Sequence, residues 1–83
     1  MRTRHRGTLD ALFAEPTRSN VHWRDVESLL RSLGAEISEG SGSRIRVVLR
    51  GTKAVFHRPH PARQLGKPMV RSVRRFLTNA GLG

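Results

Sequence analysis

Two stretches of alternating apolar and basic residues lie on either side of a glycine, and this pattern constrains the fold more than any other. Residues 44–50 read R-I-R-V-V-L-R, and residues 53–58 read K-A-V-F-H-R. Only Gly51 and Thr52 separate them, and a two-residue loop with glycine first is typical of a type II′ hairpin. The sequence therefore predicts two antiparallel strands over residues 44–50 and 53–58.

This turn also predicts which residues lie opposite one another and which face of the sheet each side chain occupies. The expected pairs are Arg50 with Lys53, Leu49 with Ala54, Val48 with Val55, Val47 with Phe56, and Arg46 with His57. The face expected to pack in the core holds Ile45, Val47, Leu49, Ala54 and Phe56. The open face holds Arg44, Arg46, Arg50, Lys53 and His57, with Val48 and Val55 between them. The opposite assignment would bury several guanidinium groups, which is energetically prohibitive.

The rest of the chain predicts helices around this hairpin. An apolar stripe beginning at Trp23 recurs at helical spacing, and Gly34 suits the residue after a helix. A short strand is expected over residues 35–38, and Pro68 fits the first turn of a final helix. Residues 1–19 are expected to form a basic arm and a short helix that begins at Thr8 and stops at Pro16. Residues 20–83 then form one α+β domain in the order α-β-β-β-α. Its three-stranded antiparallel sheet carries two helices on one face.

Charge is the feature that bears most directly on partners. The 83-residue chain has 16 Lys and Arg against 6 Asp and Glu, and residues 40–83 contain ten basic residues and no acidic one. Such an uncompensated half predicts a polyanionic partner, either nucleic acid or an acidic protein. The absence of cysteine excludes disulfides and Cys-ligated metals, and no apolar run is long enough to span a membrane. A cytoplasmic protein is expected.

Histidine is the residue type that could perform chemistry beside these cations. His57 and His60 come at the end of the third predicted strand, close to several arginines. RNA supplies its own nucleophile, the ribose 2′-hydroxyl, so a histidine base and an arginine that stabilises the phosphorane would suffice for cleavage. Both histidines could equally contact phosphates without cleaving them. No metal site is expected, because Pro59 and the surrounding arginines disfavour a bound cation.

Several features together resemble the HicA-type toxins of prokaryotic toxin–antitoxin pairs. These features are the α-β-β-β-α order, which is similar to the double-stranded-RNA-binding fold, the Gly42-Ser43 pair before the second strand, a histidine after the third strand, and a closing helix that ends at residues 79–82. The resemblance covers residues 20–83. It implies an mRNA interferase neutralised by a HicB-type antitoxin, with a catalytic histidine directly after the Gly-Ser pair. Arg44 occupies that position here.

The predicted function is therefore a metal-independent endoribonuclease toxin that needs no cofactor. His57 is the expected base, with His60 as the alternate, and Arg44 and Arg46 are expected to hold the scissile phosphate. Arg50, Lys53 and Arg58 are expected to extend the contacts along the RNA backbone. One alternative is a non-catalytic RNA- or DNA-binding module that uses the same face. Another is that the basic face mainly binds an acidic protein.

Overall fold

Three helices and a three-stranded antiparallel sheet make up the computed structural model, which describes residues 1–59 and 64–82. The elements are α1 (Thr3–Leu12), α2 (Trp23–Ser32), β1 (Glu36–Glu39), β2 (Arg44–Leu49), β3 (Thr52–His57) and α3 (Lys67–Asn79). The strands lie in the order β1-β2-β3. The predicted α+β class and the order α-β-β-β-α after a short N-terminal helix are confirmed, and the arrangement is consistent with a double-stranded-RNA-binding-like fold.

Helices α2 and α3 form where their apolar stripes predict them. Four side chains of α2 and four of α3 are buried in one core with Ile45, Val47 and Leu49 of β2. Each helix ends at a glycine with a positive φ, 93° at Gly34 and 92° at Gly81. At both ends the next backbone N–H donates to a carbonyl in the last helical turn, a Schellman motif that satisfies groups otherwise left without a partner. Within the described residues, no helix is long and apolar enough to traverse a lipid bilayer.

The N-terminal helix begins at Thr3, so the predicted start at Thr8 is wrong. Polar side chains provide part of its packing, because His5 and Thr8 are buried and His5 Nε2 lies 2.9 Å from Ser28 Oγ of α2. Apolar periodicity does not indicate a helical turn whose buried side chains are polar, as in residues 3–8. Leu12, which is fully buried, joins the core shared by α2 and α3.

Arg74 of α3 holds the segment that follows α1. Its Nε donates to the carbonyl of Leu12 at 2.7 Å, and its Nη2 donates to the carbonyl of Ala14 at 3.0 Å. Glu15 lies 3.6 Å from the same guanidinium group. A carbonyl left over at a helix end needs a donor, and one arginine fork supplies two of them here.

The hairpin forms, but its predicted register is wrong. Leu49 lies opposite Thr52 and Val47 opposite Ala54, so the two-residue loop is Arg50-Gly51. Both loop residues have positive φ, 51° and 81°, which is the type I′ geometry and not the predicted type II′. Thr52 thereby enters the strand, where a β-branched residue is favoured, and its hydroxyl donates to the Asn79 carbonyl at 3.4 Å. Each residue of β2 pairs two positions earlier on β3 than expected, and a shift of two leaves both faces unchanged.

The left-handed conformation at Gly51 gives a test of this loop. A Cβ at Gly51 would meet no atom within 4 Å, and neither would one at Gly7 within α1, but only Gly51 has a positive φ. We expect Gly51→Ala to lower the free energy of unfolding by about 1–2 kcal/mol, since a Cβ disfavours the left-handed region. The matched Gly7→Ala should raise it by about 0.5–1 kcal/mol. Urea unfolding measures both, and equal effects would contradict the type I′ loop.

Candidate nucleic-acid interface

The open face of the sheet carries the predicted site residues on neighbouring strands. Arg44, the first residue of β2, lies directly opposite His57, the last residue of β3. Arg46 lies opposite Val55, and Val48 lies opposite Lys53. The alternate residues of β2 are buried beneath the helices, whereas Arg44, Arg46, Lys53 and His57 are exposed. The predicted division of the hairpin into a core face and a cationic face is therefore confirmed.

The ladder determines how close Arg44 and His57 come. The backbone N–H of Arg58 donates to the carbonyl of Ser43 at 2.8 Å, so the position next to Arg44 and His57 is a hydrogen-bonded pair. Because the two kinds of pair alternate, Arg44 and His57 form a non-hydrogen-bonded pair. Such pairs have Cα atoms only about 4.5 Å apart, and their side chains are the closest in a sheet. Arg46 is the diagonal neighbour of His57, at about 7–8 Å.

The cations of this face are largely uncompensated. The ion pairs in the described part of the chain join Arg31 to Glu27, Arg58 to Glu39 and Arg74 to Glu15, and none of them uses Arg44, Arg46 or Lys53. Glu36 of β1 lies opposite Val48 of β2, and the register therefore places this acidic residue on the open face. The Arg44 end of the face is therefore suited to an anion.

Two arginines from the predicted set lie elsewhere. The predicted register puts Arg50 beside Lys53 on the open face, but in the structure Arg50 lies in the turn. The Nη1 atom of Arg50 lies 3.7 Å from the point that a Cβ atom at Gly81 would occupy. The charge of Arg50 is therefore close to the C-terminal end of α3, where a cation is favourable. Arg58 belongs to the opposite face of the strand and its Nη1 lies 3.4 Å from Glu39 Oε1.

Two predicted site residues remain, Lys53 and His60. Lys53 shares the open face, but it is opposite Val48, which is about 13 Å along β2 from Arg44. His60 lies outside the described residues. The structure therefore brings Arg44, Arg46 and His57 together, with Lys53 farther along the same face.

A groove that no sequence pattern indicates adjoins the same end of the sheet. It has a volume of about 1050 Å³ and is lined in part by Arg4, His22, Trp23, Arg24, Ser43 and Arg58. Ser43 and Arg58 directly adjoin Arg44 and His57 in sequence. The groove combines residues of four separate segments, so no local motif predicts it. Asp25 and Glu27 also line it, which makes its charge mixed.

The chemistry available at the open face is anion binding beside an imidazole. Two guanidinium groups can donate several hydrogen bonds to a phosphate, and a histidine can take up or release a proton. Among the described residues there is no group of three or more potential His, Asp or Glu ligands that could hold a metal ion.

A comparison with protein families identifies the relatives of this chain. The family model described as the HicA toxin of bacterial toxin–antitoxin matches residues 23–82, which is more than two thirds of the chain. The chain belongs to the HicA toxin family. This membership confirms the resemblance carried by the element order and the Gly42-Ser43 pair. Comparisons with curated proteins and with solved structures gave no match.

Family membership makes this chain the toxin of a bacterial toxin–antitoxin pair. An antitoxin partner and an RNA substrate follow for the family in general, since HicA toxins are of the ribonuclease type. The match begins at Trp23, so α1 lies outside the family pattern although it contributes Leu12 to the core. The boundary predicted between residues 19 and 20 stays a prediction.

Proposed function

We propose that this HicA toxin is a metal-independent mRNA interferase, an endoribonuclease whose base is His57, with His60 as the alternate. The observation that carries the proposal is the direct opposition of Arg44 and His57 on the open face, with Arg46 diagonal to His57. A base and two phosphate-binding cations then lie within reach of one phosphodiester. The proposed place of action is the cytoplasm, where mRNA is found.

The proposed reaction uses the ribose of the substrate as nucleophile. His57 removes the proton of the 2′-hydroxyl, and the 2′-oxygen attacks the adjacent phosphorus. Arg44 and Arg46 stabilise the negative charge that builds up on the phosphorane oxygens. The bond from phosphorus to the 5′-oxygen breaks, and this oxygen takes up a proton. The products are a 2′,3′-cyclic phosphate on one fragment and a 5′-hydroxyl on the other.

Contacts farther from the reacting phosphate hold the RNA chain. Lys53 continues the cationic row along the open face, and Arg58 faces the groove beyond the end of the sheet. RNA that crosses Arg44 along the open face reaches Lys53, whereas Arg58 contacts only RNA that passes around the end of the sheet into the groove. Arg50, whose charge lies beside the end of α3, no longer belongs to this row.

The proposed partner is a HicB-like antitoxin that covers the open face. Arg44, Arg46 and Lys53 have no carboxylate within ion-pair distance in the described residues, so an acidic protein surface would complement them. Covering these side chains would exclude RNA from the same surface and so neutralise the toxin.

A second candidate function is a non-catalytic RNA- or DNA-binding module. The observation that favours it is the identity of Arg44, which occupies the position after Gly42-Ser43 where the family resemblance implies the catalytic histidine. An arginine binds phosphate but is a poor base, because its guanidinium group stays protonated. The two candidates differ in whether His57 takes over proton transfer.

Incubation of the purified protein with RNA in EDTA distinguishes them. We expect cleavage without added metal, and fragments that carry 2′,3′-cyclic phosphate and 5′-hydroxyl ends. RNA that is retained by the protein but stays intact would support the binding module. Cleavage that requires added Mg²⁺ would refute the proposed mechanism. The His57→Ala variant, purified in the same way, is the control for contaminating ribonucleases.

A further inference from the structure

β3 is an edge strand whose free side borders a shallow groove. The sheet order places β2 on one side of it, and within residues 1–59 and 64–82 no strand pairs with its other side. A groove of about 490 Å³ runs along this side between β3 and α3. An unpaired strand edge is a template for pairing with another chain.

The register shows which backbone groups this edge presents. Thr52, Ala54 and Phe56 belong to hydrogen-bonded pairs with β2, because they alternate with the non-hydrogen-bonded pair at His57. The other three residues, Lys53, Val55 and His57, therefore direct their N–H and C=O groups away from β2. These groups can accept one further strand without any loss of pairing to β2.

The side chains along the free edge of β3 indicate the charge and polarity of a segment that could pair with it. Among the described residues that line the groove there is no carboxylate, but there are three basic side chains, Lys53, His57 and Arg75. Val55 lies between Lys53 and His57 on the open face and is 56% exposed, so it offers an apolar contact between two basic side chains. On the α3 side the groove is lined by Met69 and Phe76.

We propose that an extended acidic segment of a protein partner adds to β3 as a fourth strand. Alternate residues of an added strand face the same side as the residues they lie opposite. The segment therefore carries two acidic residues four positions apart, opposite Lys53 and His57, with an apolar residue midway, opposite Val55. The residues between them are small or apolar and face α3. The inference rests on the proposed function, since the antitoxin is the partner that would provide this strand and cover His57.

A second copy of this chain fits the edge less well. The acidic strand of the chain is β1, whose acidic residues are Glu36 and Glu39. They are an odd number of residues apart, so they lie on opposite faces and cannot both meet Lys53 and His57. Glu39 is also paired with Arg58. The charge pattern thus favours a different protein.

Titration of the labelled full chain with a synthetic peptide tests this proposal. The probe is acetyl-Thr-Glu-Ala-Val-Ala-Glu-Thr-amide, and its control is acetyl-Thr-Glu-Ala-Val-Glu-Ala-Thr-amide, which has the same composition but acids on opposite faces. At millimolar concentration the probe should saturably shift the backbone amide NMR signals of Lys53, Val55 and His57 and slow their hydrogen exchange. The control peptide should bind at least about tenfold more weakly, because its second glutamate faces α3 and one charge pair is lost.

Two substitutions separate main-chain pairing from side-chain contact. Val55→Pro removes the central outward N–H, which an edge strand tolerates, and should abolish binding of the probe. Val55→Ala keeps that N–H and should weaken binding only slightly. A probe that is N-methylated at its central amides should also fail to bind. This control needs no substitution in the protein, so it tests main-chain pairing even if Val55→Pro does not fold.

Several results would overturn the proposal. They are the absence of saturable shifts, equal binding of the two peptides, unchanged binding by Val55→Pro, or protection of the three amides by a short single-stranded RNA and not by the peptide. Amide shifts that depend on protein concentration without peptide would assign the edge to a second copy instead. Binding is measured on backbone amides, so the result does not depend on whether the protein cleaves RNA.

Discussion

Replacement of His57 by alanine should lower the rate of RNA cleavage by about 10²- to 10⁴-fold, the usual contribution of a general base. Binding of RNA should change little, because Arg44 and Arg46 stay on the open face. Cleavage is measured with a defined RNA oligonucleotide under single-turnover conditions, and binding by the same oligonucleotide with 2′-deoxyribose at the scissile position. Loss of cleavage with binding retained is the signature of a base.

The matched control is His22→Ala, which removes an exposed imidazole from the groove beside Ser43 and Arg58 and leaves the open face unchanged. At a protein concentration that saturates the RNA, it should cleave at the rate of the unaltered protein, although it can weaken RNA binding. His60→Ala belongs in the same series, since His60 is the alternate base. If the His57 and His60 variants both inhibit growth as strongly as the unaltered toxin while cellular RNA stays intact, the ribonuclease proposal fails.

Replacement of Arg44 by alanine should reduce cleavage by about 10²- to 10³-fold, the cost of removing one donor to the charge of a transition state. It should also weaken RNA binding, and the slope of log K against log salt concentration should decrease in magnitude by about 0.7, as expected for one phosphate contact on a single strand. His57→Ala should leave that slope unchanged. The two measurements thus separate phosphate binding from proton transfer.

Arg50→Ala is the matched control for Arg44→Ala. Both substitutions remove one exposed arginine of the same hairpin, but Arg50 lies in the turn near the end of α3 and Arg44 lies opposite His57. Cleavage and salt dependence should be almost unaffected. If the Arg50 variant is as impaired as the Arg44 variant, the site is not formed by the pairing of Arg44 with His57.

The faces of the hairpin could be predicted from sequence because they depend only on a period of two. Burial of Ile45 and Val47 follows from the alternation, whichever residues form the turn. The pairing could not be predicted, because Gly51 is compatible with the first position of a type II′ loop and with the second position of a type I′ loop. In the structure Thr52 enters the strand and its hydroxyl donates to the Asn79 carbonyl at the end of α3, a tertiary contact that no local pattern indicates.

The candidate site divides in the same way. Arg44, Arg46 and His57 share a face in any register that keeps the alternation, so the sequence was sufficient to group them. The position of Arg50 depends on the turn type, and its misplacement follows directly from the register error. The groove at the start of α2 and the open edge of β3 depend on how the helices sit against the sheet, which no local pattern specifies.

The regular ladder between Arg44 and His57 has a consequence for how such a toxin is controlled. Both residues lie in strands whose pairing continues through the following position, where Arg58 bonds to Ser43, so their spacing is built into the folded state. In the mechanism proposed above, a pair held in this way needs no rearrangement to become competent. Under that proposal control comes from occupancy of the open face, so the rate at which a bound antitoxin dissociates would set how soon RNA cleavage begins.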